Sequence, residues 1–419
     1  MTSTITRSTS TSHERRITTA LFAAGLTTFA SMYSAQALLP SLSAAFGVAP
    51  ARAALAVSLT TGFLALAIVP VSALSSRLGR TRVMTWSAVI SAVIGLLLPL
   101  SPSLDVLLAG RALQGVALAG VPAVAMAYLA EEIGGHGLGA AMGVYVAGTS
   151  IGGLSGRLIP AFALDLASWR WAAAAIAVAA AGCTVWFARG LPPSRGFVAR
   201  PAGMRTVLSD LGTPLRHGGL RALLGLAFVL FGGFVSIYNY LGYRLTRAPS
   251  ELPAAVAGSV FLLYLAGTLA SAAAGRWADR IGKHRVLAAA VALMGVGVLV
   301  TIPDQLIAVI LGVALCTAGF FGAHAVASTW VGAMAPGDRS AASSLYLFTY
   351  YLGAAVIGSA TGIAYANTGW VGLAVCVGAL LVVAAVLVWY LTIHARRGFE
   401  TVLGGRASQQ PVPAPDASR

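Results

Sequence analysis

The residues of this chain that could do chemistry are few and stand in apolar company. Arg111 and Gln114 lie one helical turn apart, Tyr238, Asn239 and Tyr240 are consecutive, and His324 is the one histidine far from any polar stretch. Tyr33, Gln36, Tyr145, Tyr346 and Tyr350 complete the set. Gathered around a cavity, such tyrosines would offer apolar faces and hydroxyls suited to a mid-sized amphipathic solute, although each alone is also explained as packing. An imidazole can titrate near neutral pH, which makes His324 a candidate proton or substrate site; the plainer alternative is a neutral histidine bonded to a helix carbonyl. None of the twelve Asp and Glu falls in the middle of an apolar run. Neither a metal-ligand cluster nor a nucleophile-base pair is visible, nor a Gly-x-x-x-x-Gly-Lys-Ser/Thr loop. No metal, no cofactor and no enzymatic activity are therefore expected.

The elements that must position these groups are membrane helices. Of the 419 residues 58% are hydrophobic and 9% charged, a ratio that a soluble domain of this size would show as an aggregating surface. Apolar runs of about 18 to 25 residues recur, each long enough to cross a hydrocarbon core. With no water to bond the backbone there, they must be helical. Twelve spans are expected, near 17–43, 53–76, 83–101, 105–130, 138–161, 171–188, 220–243, 254–275, 286–302, 306–331, 341–366 and 371–394. The fold class is all-α. Residues 1–16 and 395–419 read as disordered tails, and 189–219 as a central loop rich in Pro and Arg. Cys183, Cys316 and Cys376 all fall inside spans and suit core packing.

Charge fixes the expected orientation. The net charge of +15 is spread over short connections, not gathered on one basic face, so nucleic acid is not an expected partner. Twenty-one cationic residues fall on the side of the termini and only Arg52, Arg170, Arg244 and Arg247 on the other. That bias puts both termini in the cytoplasm. A cleaved signal ending at Ala35-Gln36-Ala37 is the competing account of the first span. Arg111 and Arg157 are left within spans. Arg111 lies about 9 Å inside its helix, where a charge costs at least about 2.5 kcal/mol; it should face a wet cavity or, alternatively, backbone carbonyls inside one half. Arg157 could gate or bind an anion, but pairing with Asp165 is the simpler expectation.

The chain also repeats itself. Ser72 to Val83 aligns with Gly275 to Val286 at an offset of 203 residues. Phe29, Ser31 and Tyr33 match Phe234, Ser236 and Tyr238; Gly120, Val124 and Tyr128 match Gly322, Val326 and Trp330; Tyr145 and Gly152 match Tyr346 and Gly353. The expected units are two homologous halves, 17–188 and 220–394. Such halves place a substrate site between them at the midplane.

Gly275 to Arg285 (Gly-Arg-Trp-Ala-Asp-Arg-Ile-Gly-Lys-His-Arg) resembles the signature loop of the major facilitator superfamily, Gly-x-Leu-Ala-Asp-Arg-x-Gly-Arg-Lys. The resemblance implies that Asp279, Arg280 and Gly282 help hold the cytoplasmic side shut. The first-half copy keeps Arg77, Gly79 and Arg80 but has Ser76 in place of the carboxylate. A basic turn with no gating role is the alternative for both. Arg111 to Gly115 is similar to the superfamily's Arg-x-x-Gln-Gly motif, whose arginine is associated with substrate or proton coupling. Gly148, Gly152, Gly153 and Gly156 resemble the antiporter motif Gly-Pro-x-x-Gly-Gly, with Thr149 at the proline position; small residues at this spacing do close helix packing. Further strings, among them 128–133 and 342–348, are similar to a YnfM-type branch of bacterial inner-membrane transporters.

The resemblance implies a monomeric inner-membrane transporter in the lipid bilayer that takes a small-molecule substrate and protons. Proton-driven efflux of an organic solute or drug by alternating access is the leading expectation. A proton symporter importing a carboxylate or sugar is the alternative, and a substrate-sensing receptor that moves nothing is the alternative of another class.

Overall fold

A computed structural model describes residues 2–133, 137–194, 197, 212, 214–335 and 339–407. Fourteen helices carry the described chain: α1 (Thr2–Tyr33), α2 (Leu39–Phe46), α3 (Pro50–Leu78), α4 (Arg80–Leu97), α5 (Leu104–Leu118), α6 (Gly120–Glu132), α7 (Leu138–Leu164), α8 (Trp169–Gly190), α9 (Gly218–Leu245), α10 (Ala254–Ser259), α11 (Leu263–Ile281), α12 (Lys283–Val300), α13 (Leu306–Met334) and α14 (Arg339–Ala407).

These make twelve passes. Ten helical segments are long and apolar enough to cross a membrane, with α5–α6 and α10–α11 each counted as one. The Ala341–Ile393 segment is 53 residues long, twice what a crossing needs. It turns at Gly369, whose φ of 65° and ψ of −150° are closed to residues with a Cβ, and is two passes. The first pass is α1–α2. Its threonines lower its hydropathy; Thr18 donates to the Glu14 carbonyl and Thr27 to that of Ala180. Large apolar side chains such as Leu66, Trp86, Leu113, Leu269, Ile307 and Trp389 are exposed around the outside, as a lipid-facing belt requires.

The duplication is visible in the backbone. Gly79 (φ 99°, ψ 143°) and Gly282 (φ 94°, ψ 143°) make the same turn, between α3 and α4 and between α11 and α12. α1 packs on α7 in the first half as α9 packs on the first pass of α14 in the second. Between the halves, α3 meets α14, and α7 meets α10 and the turn at Val260–Leu262. With an even number of passes α1 begins and α14 ends on one side, the terminal side, and the loops 34–38, 165–168 and 246–253 lie on the far side.

Several passes are broken where continuous helix was expected. The first unwinds at 34–38. The fourth is interrupted at Ala119, where the Ser87 hydroxyl enters the helix, donating to the Ala117 carbonyl and accepting from the Gly120 N–H at 2.9 Å; such insertion is a recognised cause of a kink. The ends differ from expectation too. α1 begins at Thr2 and α14 runs to Ala407, so much of both expected tails continues a helix; 408–419 and most of the central loop, 195–196, 198–211 and 213, lie outside the described residues.

Candidate functional site

A cavity of about 370 Å³ lies between the halves, walled by α1 and α7 from the first and by α9, α11, α13 and α14 from the second. That is large enough for a small organic solute. Its floor, toward the far side, holds Arg157, Tyr33 and Tyr264, whereas Val146, Ser150 and Thr268, nearer the terminal side, are exposed. The cavity therefore opens toward the terminal side, between α7 and α11. Below the floor the halves are tied together. Gln36 donates to Asn239 Oδ1 at 2.8 Å, the Tyr243 hydroxyl meets Ser43 Oγ at 2.6 Å and donates to the Leu39 carbonyl at 2.7 Å, and Asp165 accepts from the Ala254 and Ala255 N–H groups at 2.8 and 3.0 Å.

Of the tyrosines, polar groups and His324 expected in the cavity, the structure brings Tyr33, His324 and Tyr350 to its wall. His324 Nδ1 lies 3.0 Å from the Tyr346 hydroxyl, and its ring packs on Tyr350 at 4.8 Å and Phe320 at 6.0 Å between centroids. The other residues point elsewhere. Tyr238 is bonded to Thr317 inside the second half, Tyr240 donates to the Gly358 carbonyl, Tyr145 is buried in the core of the first half, and Gln36 and Asn239 belong to the far-side tie.

Arg111 and Gln114 are not at the cavity either. Arg111 is 1% exposed, and its guanidinium donates to three carbonyls: Nε to Ala56 at 2.8 Å, Nη1 to Ser31 at 2.9 Å and Nη2 to Met32 at 2.7 Å. It also reaches Gln114 Oε1 at 2.5 Å and Ser34 Oγ at 3.2 Å. Ser31 and Met32 belong to the last turn of α1, where carbonyls lack intrahelical partners and carry the negative end of the helix dipole. Arg111 thus splints the break at 34–38, as its carbonyl-bonded alternative requires.

The charge at the cavity is Arg157, and its expected pair with Asp165 is not made. Asp165 lies beyond the end of α7 and caps α10 across the interface. Arg157, 3% exposed, donates from Nε to Gln36 Oε1 at 2.6 Å, from Nη1 to the Gly153 carbonyl at 2.6 Å and from Nη2 to the Tyr264 hydroxyl at 3.2 Å. Its guanidinium carbon sits 3.8 Å from the Tyr33 ring centroid and 4.6 Å from that of Tyr264. Stacked rings line the space above it: Phe234 on Phe320 at 4.0 Å and Phe231 on Tyr350 at 3.5 Å. The repeat carried a signal for this residue that motif reading missed. At the 201-residue offset of Tyr145 and Tyr346, the partner of Arg157 is Gly358.

The antiporter-like glycines do packing. A Cβ on Gly148 would meet the Phe22 carbonyl, one on Gly152 that of Leu26 at 2.5 Å and one on Gly156 that of Ala30 at 2.5 Å, so all three sit on one stripe pressed against α1. Gly153 instead leaves room beside Arg157 and Tyr33. In the signature loops, Arg80 is held by Glu131 at 2.9 Å and by Ser75 at 2.7 Å, so Glu131 stands in for the carboxylate missing at Ser76. Arg77 ends α3. Asp279 and Arg280 are exposed and form no ion pair among the described residues.

This architecture and the sequence agree with known proteins. The family model described as Major Facilitator Superfamily matches residues 21–262 and 249–414. The chain is 40% identical over 371 residues to the inner membrane transport protein YnfM of Escherichia coli, covering 88% of each. It is 39% identical over 377 residues to the uncharacterized MFS-type transporter YybF of Bacillus subtilis, covering 90% of this chain and 93% of that one. A crystal structure of the nucleoside transporter NupG superposes with a TM-score of 0.71 at 14% identity, over 90% of this chain and 98% of that one. The chain is a membrane transporter of the Major Facilitator Superfamily.

Proposed function

We propose that the chain exports a small organic solute across a bacterial inner membrane in exchange for protons, as a monomer, by rocking the halves 17–188 and 220–394. The observation that carries this reading is the cavity walled by both halves and tied shut below its floor. A site that faces one side at a time is what alternating access needs. The excess of Arg on the terminal side makes that side the cytoplasm and the open cavity a cytoplasm-facing one. In the opposite state the basic loops carrying Arg77, Arg80, Asp279 and Arg280 close over it. His324, the histidine at the cavity wall, with its Nδ1 3.0 Å from the Tyr346 hydroxyl, is the proton site.

Import by symport is favoured by one observation: Arg157 and His324 share the cavity, as two ligands for an anion would. Purified protein in liposomes separates the readings. With an acidic lumen, an antiporter accumulates its solute; with acidic medium outside, a symporter does. A broad panel of organic anions, cations and neutral compounds that moves neither itself nor protons under either gradient would leave a binding protein only, and the transport reading fails.

A further inference from the structure

Resting on the transport reading, we infer that the cavity takes an amphipathic organic anion, with an aromatic or flat apolar body, whose negative charge is received by Arg157. A guanidinium has five N–H donors, and three of those of Arg157 have the partners described above. None of those partners is charged, and no ion pair of Arg157 exists among the described residues. A desolvated cation without a counter-ion is costly within a membrane, and a carboxylate supplied by the solute removes that cost. The cavity wall contains no Asp or Glu, so a cationic solute would meet only like charge.

The rest of the wall sets the body of the solute. The stacked pairs Phe234–Phe320 and Phe231–Tyr350 present flat apolar faces above the charge, and Ser150 and Thr268 supply hydroxyls toward the opening. A sugar, with donors and acceptors on every edge, would strand most of them against these rings.

The position of Arg157 also ties loading to opening. Its bond to Gln36 leads to Asn239 in the other half, and its bond to Tyr264 crosses directly. An anion that draws the guanidinium upward competes with both bonds. The group that receives the charge is therefore one that holds the far side shut.

The test uses the full chain in nanodiscs and three probes that share one ring system: 1-naphthoate, its isostere 1-naphthamide, and 1-naphthylmethylamine. Binding is read by calorimetry, and movement of the same three is followed in liposomes under both pH gradients. We expect 1-naphthoate to bind at least tenfold more tightly than the other two. Arg157→Gln should abolish that preference, and Arg157→Lys, which keeps the charge, should keep it. Equal binding of amide and acid by the wild type, which needs no variant to fold, overturns the inference, as does no binding of the acid. If the amide or amine moves while the acid neither binds nor moves, the anion site falls and the transport reading stands. If the acid binds with the stated preference and none of the three moves, the anion site stands and the transport reading rests on the broader panel.

Discussion

Arg111 and Arg157 are both buried arginines within membrane passes of the same half, yet their surroundings assign them opposite tasks. Arg111 spends its donors on three carbonyls, two of them in the last turn of α1, and on the side chains of Gln114 and Ser34. Arg157 has one carbonyl, two neutral side chains and the rings of Tyr33, Phe261 and Tyr264, and stands at the cavity. A guanidinium saturated by the fold's own backbone holds the fold. One left without a counter-ion beside a cavity is available to something that enters. Depth in the membrane and residue type are shared, so the acceptors decide.

The sharpest way to break this comparison is at Arg111. Arg111→Ala leaves the Met32 carbonyl and Gln114 Oε1 without a donor, at about 1–3 kcal/mol for each, while the Ser31 and Ala56 carbonyls keep the Ser34 and Thr60 hydroxyls. A loss of at least about 2 kcal/mol is expected, seen as collapse of folded yield. Arg111→Lys should not rescue it, because an ammonium lacks the planar fork. A well-folded R111A with weakened solute binding would instead move Arg111 into the cavity machinery.

Gly152→Leu is expected to be next in size. Its side chain would be driven into the Leu26 carbonyl, parting α1 from α7, at about 1–3 kcal/mol or more. A thermal unfolding scan should show the loss, while Gly143→Leu on the same helix, where a Cβ meets nothing within 4 Å, should be neutral.

At His324 the expected effect is functional. His324→Ala should flatten the pH dependence of transport while changing solute affinity by no more than about threefold, a range worth less than 1 kcal/mol. Unchanged pH dependence removes His324 from the proton path.

The smallest effect belongs to Glu131→Gln. It frees Arg80, but the pair is partly exposed, with 18% and 29% of the two side chains accessible, and such bridges are worth about 0–1 kcal/mol. A shift of the unfolding midpoint beyond a few degrees would show that Glu131 carries more of the terminal-side structure than one bridge.

Much of this architecture is legible in the sequence because the membrane enforces it. Run length gives the passes, and the repeat gives the halves. The glycine stripe at 148, 152 and 156 reports close packing whatever the cargo, because only missing side chains admit another backbone. The shared turn at Gly79 and Gly282 follows from the aligned loops. The sites are harder because hydrogen-bond acceptors depend on helix breaks. Nothing in the composition of 34–38 announces that the first pass unwinds there, so the carbonyls that claim Arg111 are invisible beforehand. Asp165 looked like the partner of Arg157, yet eight residues of helix separate two groups by about 12 Å, and a carboxylate past the helix end had a free helix N-terminus to cap instead. Comparing the halves does better than motif matching: Arg157 against Gly358, like His324 against Pro122, marks a place where one half carries a polar group that the other lacks.

The most direct measurement of the difference between the two arginines is the thermal unfolding midpoint of wild type and Arg157→Gln, each with and without 1-naphthoate. Binding to the folded state alone raises the midpoint. Wild type should unfold later with the anion present, and the variant should start within a few degrees of wild type and not respond. A variant that gains as much from 1-naphthoate as wild type does, or that is unfolded before any anion is added, would contradict the division of labour between Arg111 and Arg157.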